Sequence, residues 1–372
     1  MKVSWRVARI FGIDIHVDAS WLVIFGLFTW IMASYYFPSG YPQWPKWQYW
    51  VVGALTSIFF FVSVLAHELA HSLVAITQGE KVSRITLFIL GGVAHLSEEP
   101  KEASKEFFMA FVGPLTSFAI AVVCYFLVIG LRPVSEPLAA IARYLSFINL
   151  LLGAFNLLPG FPMDGGRVLR ALIWKFTGNL KKATGIASSV GQGFAVLFIV
   201  LGFLMIFRGL LVNGIWIMMV GWFLHSAAGR GYHQVIMREM LSHVRAEDLM
   251  ERDIQSVSGS LAIQHLVDEF ILKHRDRAFI VAEKGDIRGI VCLEDVKKIP
   301  KDQWPSTTVD QVMTPADELA TVSPEDDGNT VLGQLTAKSV HQVPVVKGGK
   351  IRGVVCRTDI LQFMQLRSEL GI

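Results

Sequence analysis

The pentapeptide His67-Glu68-Leu69-Ala70-His71 lies within the apolar run 63–73. On a helix, positions i and i+4 share a face, so both imidazoles can turn a ring nitrogen to one metal ion, with Glu68 beside them. Zinc held by three protein ligands keeps one position open and lowers the pKa of water to about 7, and a neighbouring carboxylate can take that proton. The chemistry so encoded is hydrolysis, with Glu68 as general base and then as acid to a departing amide nitrogen. Three ionisable residues within one turn of a membrane helix are costly unless they share a functional partner.

Such a centre needs a third protein ligand. The run 155–167, FNLLPGFPMDGGR, supplies Asp164, since Pro159, Gly160 and Pro162 break the helix ahead of it and leave it on non-helical chain. A competing role for Asp164 is the N-cap of a helix beginning near Gly165. His16 and His95 are alternative ligands in principle, although a solitary histidine near a membrane surface is more often simply hydrogen-bonded.

These residues need a scaffold, and its nature follows from composition. The chain has 372 residues, 52% hydrophobic and only 17% charged, which points to a membrane protein. Six runs are long enough to span a bilayer, near 19–37, 50–77, 106–131, 140–160, 186–207 and 210–228. With a cytosolic N-terminus, the inside loops collect the Lys and Arg from Lys2 to Lys182, and only Lys46, Arg132, Arg143 and Arg208 fall outside. That orientation makes the second and fourth spans parallel, brings Asp164 to the same end as His71, and puts both termini in the cytosol. The fifth and sixth spans are surplus to the metal site and are left to coupling or to gating of lateral entry.

Residues 2–16 alternate around Gly12 and are expected to form short strands, as is the loop 82–98, which holds Ile85, Leu87, Ile89 and Gly91-Gly92. A transmembrane substrate is helical and must unwind to be cut, and a strand edge can hold the unwound segment. A net charge of +3 without a basic stripe excludes nucleic acid as a partner. Cys124, Cys292 and Cys356 have no pairing spacing, so neither a disulfide framework nor a cysteine zinc site is indicated.

HELAH on the second span and NLLPGFPMDGGR on the fourth resemble the two signature motifs of the site-2 protease family, over most of residues 1–170. The resemblance implies one zinc ion bound by His67, His71 and Asp164, and Glu68 as catalytic acid and base. It further implies that Asn156 positions the substrate or stabilises an oxyanion; a capping role at the end of the span competes with this. The same resemblance implies substrate-holding strands around Gly12 to His16 and in the loop after the second span.

Beyond a linker, a unit of roughly 60 residues repeats: Ile287-Arg288-Gly289-Ile290-Val291-Cys292-Leu293-Glu294-Asp295 answers to Ile351-Arg352-Gly353-Val354-Val355-Cys356-Arg357-Thr358-Asp359. Both copies resemble cystathionine-β-synthase (CBS) motifs, which pair into one disc-shaped module. The resemblance implies adenine nucleotide (ATP, ADP or AMP) with Asp295 and Asp359 as ribose ligands, and it allows a homodimer through the CBS repeats. Cys292 and Cys356 stand where that family usually has Ser or Thr, and a thiol is the weaker donor to phosphate.

The expected architecture is a polytopic α-helical membrane protein of six spans with short N-terminal and loop β-strands, followed by an α+β tandem CBS domain. Its divisions are a transmembrane metalloprotease domain over 1–229, a linker over 230–245, and CBS motifs over 246–300 and 308–366. The expected activity is that of an intramembrane zinc endopeptidase in the cell membrane, cutting a membrane-protein substrate within or near a transmembrane segment. Two rivals stand beside it. A CBS-regulated metal or ion transporter explains intramembrane histidines and carboxylate but gives Glu68 no role. A non-catalytic relative with structural zinc would need a fourth protein ligand.

Overall fold

Alternation of Ile13 and Ile15 with polar residues produces the first element. In the computed structural model, β1 (Ser4–Ile10) and β2 (Ile13–Asp18) form an antiparallel hairpin. Phe11 and Gly12 turn it with φ of 50° and 82°, the left-handed pair that matches strand twist. The structure describes residues 4–370 apart from 90, 97–99, 101, 243, 253–254, 275–277, 284–285, 317, 338–339, 341 and 349. The chain divides into two compact units, Met1–His233 and Gln234–Ile372.

Six helices are long and apolar enough to cross a membrane: α1 (Ala19–Gly40), α2 (Lys46–Thr77), α3 (Ala103–Leu131), α4 (Glu136–Asn156), α6 (Leu180–Phe207) and α7 (Leu211–Ser242). The shorter α5 (Asp164–Thr177) stands between α4 and α6. The six expected spans are all present, but the fourth ends at Asn156, not near 160, because the approach to Pro159 already disfavours helix. Small and hydroxylated residues bring the spans together. Thr29 Oγ1 of α1 donates to Ser57 Oγ of α2 at 2.8 Å, and Ser146 Oγ of α4 donates to Ala121 O of α3 at 2.8 Å. A side chain at Gly153 of α4 would run into the Phe118 ring of α3.

The hairpin continues into a sheet of order β1-β2-β3-β4. β2 lies parallel to β3 (Val82–Phe88), and β4 (Gly91–Leu96) pairs antiparallel with β3 and ends the sheet as an edge strand. Ile13, Ile15 and Ile85 are buried on one face, with Leu65 and Leu69 of α2 packed against them. The expected strands are therefore held against the turn of α2 that carries His67 and Glu68.

In the second unit, one repeat supplies β5 (Ser256–Val257), α8 (263–274), β6 (Ala278–Glu283), β7 (Asp286–Cys292) and α9 (Leu293–Val296). The other supplies β8 (Thr314–Pro315), α10 (Gly328–Ala337), β9 (Gln342–Lys347), β10 (Lys350–Cys356) and α11 (Arg357–Leu370). Each repeat lends its lead-in to the other: β8 pairs with β7 through Ile290 and Thr314, and Glu251 bridges to Val354. Gly289 and Gly353, equivalent in the two copies, are where the crossing chain passes. A β-carbon there would meet Thr314 O and Glu251 O respectively.

Candidate active site

His67 and His71 follow each other by one turn of α2, and their rings meet edge to face with centroids 4.9 Å apart. Both are buried, at 4% and 8% exposure, so each polar ring atom needs a partner inside the protein. His71 Nδ1 lies 2.6 Å from Met109 O, and His67 Nδ1 lies 2.9 Å from Ser117 Oγ. A carbonyl can only accept, so the Nδ1 of His71 carries the hydrogen and its Nε2 presents a lone pair.

The two Nε2 atoms face each other at 3.2 Å, and Asp164 Oδ2 completes a triangle with them at 3.1 and 3.2 Å. Among the described residues, these three form the one group of at least three His, Cys, Asp or Glu whose ligand atoms all lie within 4.8 Å of one another. The lone pair of His71 Nε2 and an anionic oxygen gathered in a buried triangle repel unless a proton or a metal cation joins them. Zinc bonds of 2.0–2.1 Å at tetrahedral angles set neighbouring ligand atoms roughly 3.3–3.4 Å apart, close to the triangle found. The residues present therefore fit zinc.

A stripe on α3 holds the imidazoles. Met109, Gly113 and Ser117 recur at i, i+4 and i+8, which sets them on one face. The outer two fix the Nδ1 atoms, and a β-carbon at Gly113 would collide with the Nε2 atoms of His67 and His71. None of the three was singled out from the sequence. The trace they leave is a small-and-polar spacing within an apolar span, which states no partner.

Asp164 arrives by a different route. It is the first residue of α5 and Met163 is the N-cap, so Asp164 is neither on non-helical chain nor itself the cap, as the two sequence readings had it. The segment before it is compressed: side chains at Gly165 or Gly166 would strike the carbonyls of Leu157 and Leu158 or the backbone of Gly160. The fifth span braces this segment, with Phe161 N donating to Ala187 O at 3.1 Å and Gly191 lying against Phe161. Far from being surplus to the site, α6 shapes the loop that delivers Asp164.

Glu68 is half-buried beside the histidines, and β4 covers it: a β-carbon at Gly92 would stand 2.6 Å from Glu68 Cγ. Asn156 ends α4, where its Nδ2 donates to Leu152 O at 3.1 Å. His16 stands in β2, outside the triangle; the side chain of His95 lies outside what the structure describes.

In the second unit, the equivalent aspartates do equivalent things. Cys292 N donates to Asp295 Oδ2 at 3.1 Å and Cys356 N to Asp359 Oδ2 at 2.8 Å, so each carboxylate caps the start of its helix. Lys298 Nζ also donates to Asp295 Oδ1 at 2.8 Å. The Gln342 side chain reaches both cysteine sulfurs. Burial, reinforced by the charge of Asp295, pushes the Cys292 thiol far above the usual thiol range, and burial likewise raises the Asp359 carboxyl.

Comparison with known proteins accords with this geometry. The sequence model of Peptidase family M50 matches residues 55–137 and 132–200, and that of the CBS domain matches 246–302 and 309–366. The zinc metalloprotease MJ0392 of Methanocaldococcus jannaschii is 33% identical over 100% of this chain and 99% of its own length. The Synechocystis protein sll0528 is 33% identical over 98% of this chain and 96% of its own. A solved site-2 protease from M. jannaschii, 31% identical, covers 62% of this chain and 95% of that one, with a TM-score of 0.43. With full-length relatives at this identity and the M50 and CBS matches falling in succession, the chain belongs to peptidase family M50 and is an integral-membrane zinc metalloprotease with tandem CBS domains.

Proposed function

We propose that the protein is an endopeptidase that hydrolyses a peptide bond within or next to a transmembrane segment of a membrane-protein substrate, with residues 1–229 as the catalytic domain. The observation that carries this reading is the buried triangle of His67 Nε2 and His71 Nε2, on a membrane helix, with Asp164 Oδ2 of α5, each pair 3.1–3.2 Å apart. His67, His71 and Asp164 hold one zinc ion. Bound there, zinc supplies Lewis acidity that polarises a peptide carbonyl and acidifies water.

The remaining work belongs to the chain. Glu68 accepts a proton from the attacking water and returns it to the departing amide nitrogen. Met109 O and Ser117 Oγ keep the imidazoles turned inward. The outer edge of β4 pairs with an unwound substrate segment, and because Gly92 of that strand leaves no room for a β-carbon over Glu68, the added strand runs past the base. Asn156, at the end of α4, is the candidate for contacting the substrate carbonyl. Both termini face the cytosol, in line with the distribution of Lys and Arg.

Glu68→Gln tests the whole reading in the full-length protein. Bound zinc should stay at the wild-type level while cleavage of an unstable transmembrane substrate in detergent is lost. Cleavage at the wild-type rate would remove Glu68 as the acid and base and overturn this mechanism. In the same reading the CBS repeats set the rate through adenine nucleotide at Asp295 and Asp359, and cleavage unchanged by saturating ATP, ADP and AMP would remove that part alone.

A further inference from the structure

The membrane unit contains a second buried charged group besides the donor triangle. Glu106, in the first turn of α3, is 1% exposed, and Arg170 of α5 is 5% exposed. Arg170 Nε donates to Glu106 Oε1 at 2.7 Å and its Nη2 contacts the same oxygen. Arg167, one turn earlier on α5, brings its Nε to 3.8 Å from that oxygen. The Arg170 guanidinium also lies over the Phe161 ring, 5.1 Å from its centroid. A carboxylate this deeply buried stays where it is only if its cation stays with it.

What this group joins is specific. Arg167 and Arg170 lie one and two turns after Asp164 on α5. Glu106 lies one turn before Met109 on α3, whose carbonyl holds His71. Phe161, under the guanidinium, is the residue through which α6 braces the loop ahead of Asp164. The helix that carries Asp164, the helix that carries Met109 and the loop at Phe161 are thus tied together within two turns of Asp164, by the fork of the Arg170 guanidinium closing on one carboxylate oxygen.

We infer that Glu106 and Arg170 are positioning residues for the zinc centre: their ion pair sets α5 against α3 so that Asp164 Oδ2 closes on the two imidazoles. The inference rests on the reading of Asp164 as a zinc ligand. Partners that orient ligands from behind typically change metal affinity by about 10- to 100-fold when removed. A ligand freed to drift raises the rate of zinc loss while leaving substrate binding in place.

The test is zinc affinity, measured on the detergent-solubilised full chain by competition with a chromogenic chelator. Glu106→Gln and Arg170→Lys are each made in wild type and in Asp164→Asn. The expected result is affinity weakened about 10- to 100-fold by either substitution, with no further weakening in Asp164→Asn, because the pair acts through that carboxylate. A weakening of the same size in both backgrounds would mean general loosening and would overturn the inference, as would unchanged affinity. If Glu106→Gln fails to fold, Arg170→Lys decides, since it keeps the charge and loses only the fork. The underlying reading fails separately: Asp164→Asn alone would then leave zinc affinity unaltered. A cleavage assay on zinc-saturated protein adds a second readout, with kcat falling and KM held for a positioning role.

Discussion

His67 Nδ1 stands 2.9 Å from Ser117 Oγ, and this contact between the second and third spans orients one imidazole while Met109 O, two turns earlier on α3, orients the other. Because one helix face holds both rings, small changes on that face should register in metal binding before they register in folding. Ser117→Ala should weaken zinc about tenfold or more with the helices intact, as read by chelator competition and far-ultraviolet circular dichroism. Undiminished affinity would remove Ser117 from the centre.

Gly113 lies between those two anchors, and a methyl group there would occupy the space of both Nε2 atoms. Gly113→Ala should therefore yield folded protein with little bound zinc by elemental analysis. Gly130, on the same helix with open space around it, provides the control, and Gly130→Ala should keep its zinc.

A β-carbon at Gly92 would stand 2.6 Å from Glu68 Cγ, so a substitution there probes the base apart from the metal. Gly92→Ala should leave zinc content unchanged while pushing the carboxylate aside, and a displacement near 1 Å can cost about 100-fold in rate. The comparison that matters is kcat against bound zinc in the same preparation. Parallel loss of both would show that β4 supports the fold of the site and not the base alone.

The half-buried Cys292 thiol gives a pH signature. Its pKa is raised in the folded state, first by burial and then by Asp295, so the thiolate fraction at neutral pH is smaller than for a free thiol. In a variant with Cys124 and Cys356 replaced by serine, iodoacetamide should label Cys292 slowly at pH 7.5 and progressively faster up to and beyond the ordinary value of 9.0. The sign for stability follows. A raised folded pKa favours the protonated native form, so its contribution is complete below 9.0 and declines as pH climbs above it. Fast labelling of the folded protein at pH 7.5 would contradict the burial.

The crossing of the CBS lead-ins predicts matched effects in the two repeats. Gly289→Val meets Thr314 O and Gly353→Val meets Glu251 O, so each should destabilise the second unit by about 1–3 kcal/mol. Thermal scanning of the full chain should show one transition shifted down in both variants. An unaffected Gly353→Val would mean the Glu251 bridge is dispensable.

Much of this protein was legible in its sequence because the signals are local. The six spans are runs of apolar residues, β1 and β2 follow from alternation around Gly12, and the pairing of His67 with His71 is a property of any helix with that spacing. Repetition of the IRG segment likewise announced two copies of one unit.

Only the tertiary structure decided which distant residues share the site. Ser117, Met109 and Gly113 are unremarkable in an apolar helix until α3 is packed on α2. Glu106 and Arg170 look like two surface charges at loop ends until α5 is laid on α3 and buries both. Asp164 was placed by its motif but not its conformation, since the first turn of α5 depends on α6 gripping Phe161. The physical reason is one of range. Helix and strand periodicities are set by neighbours within a few residues, whereas partners far apart in sequence are chosen by how whole helices pack, through glycines and hydrogen bonds whose meaning appears only when the opposing surface is in place.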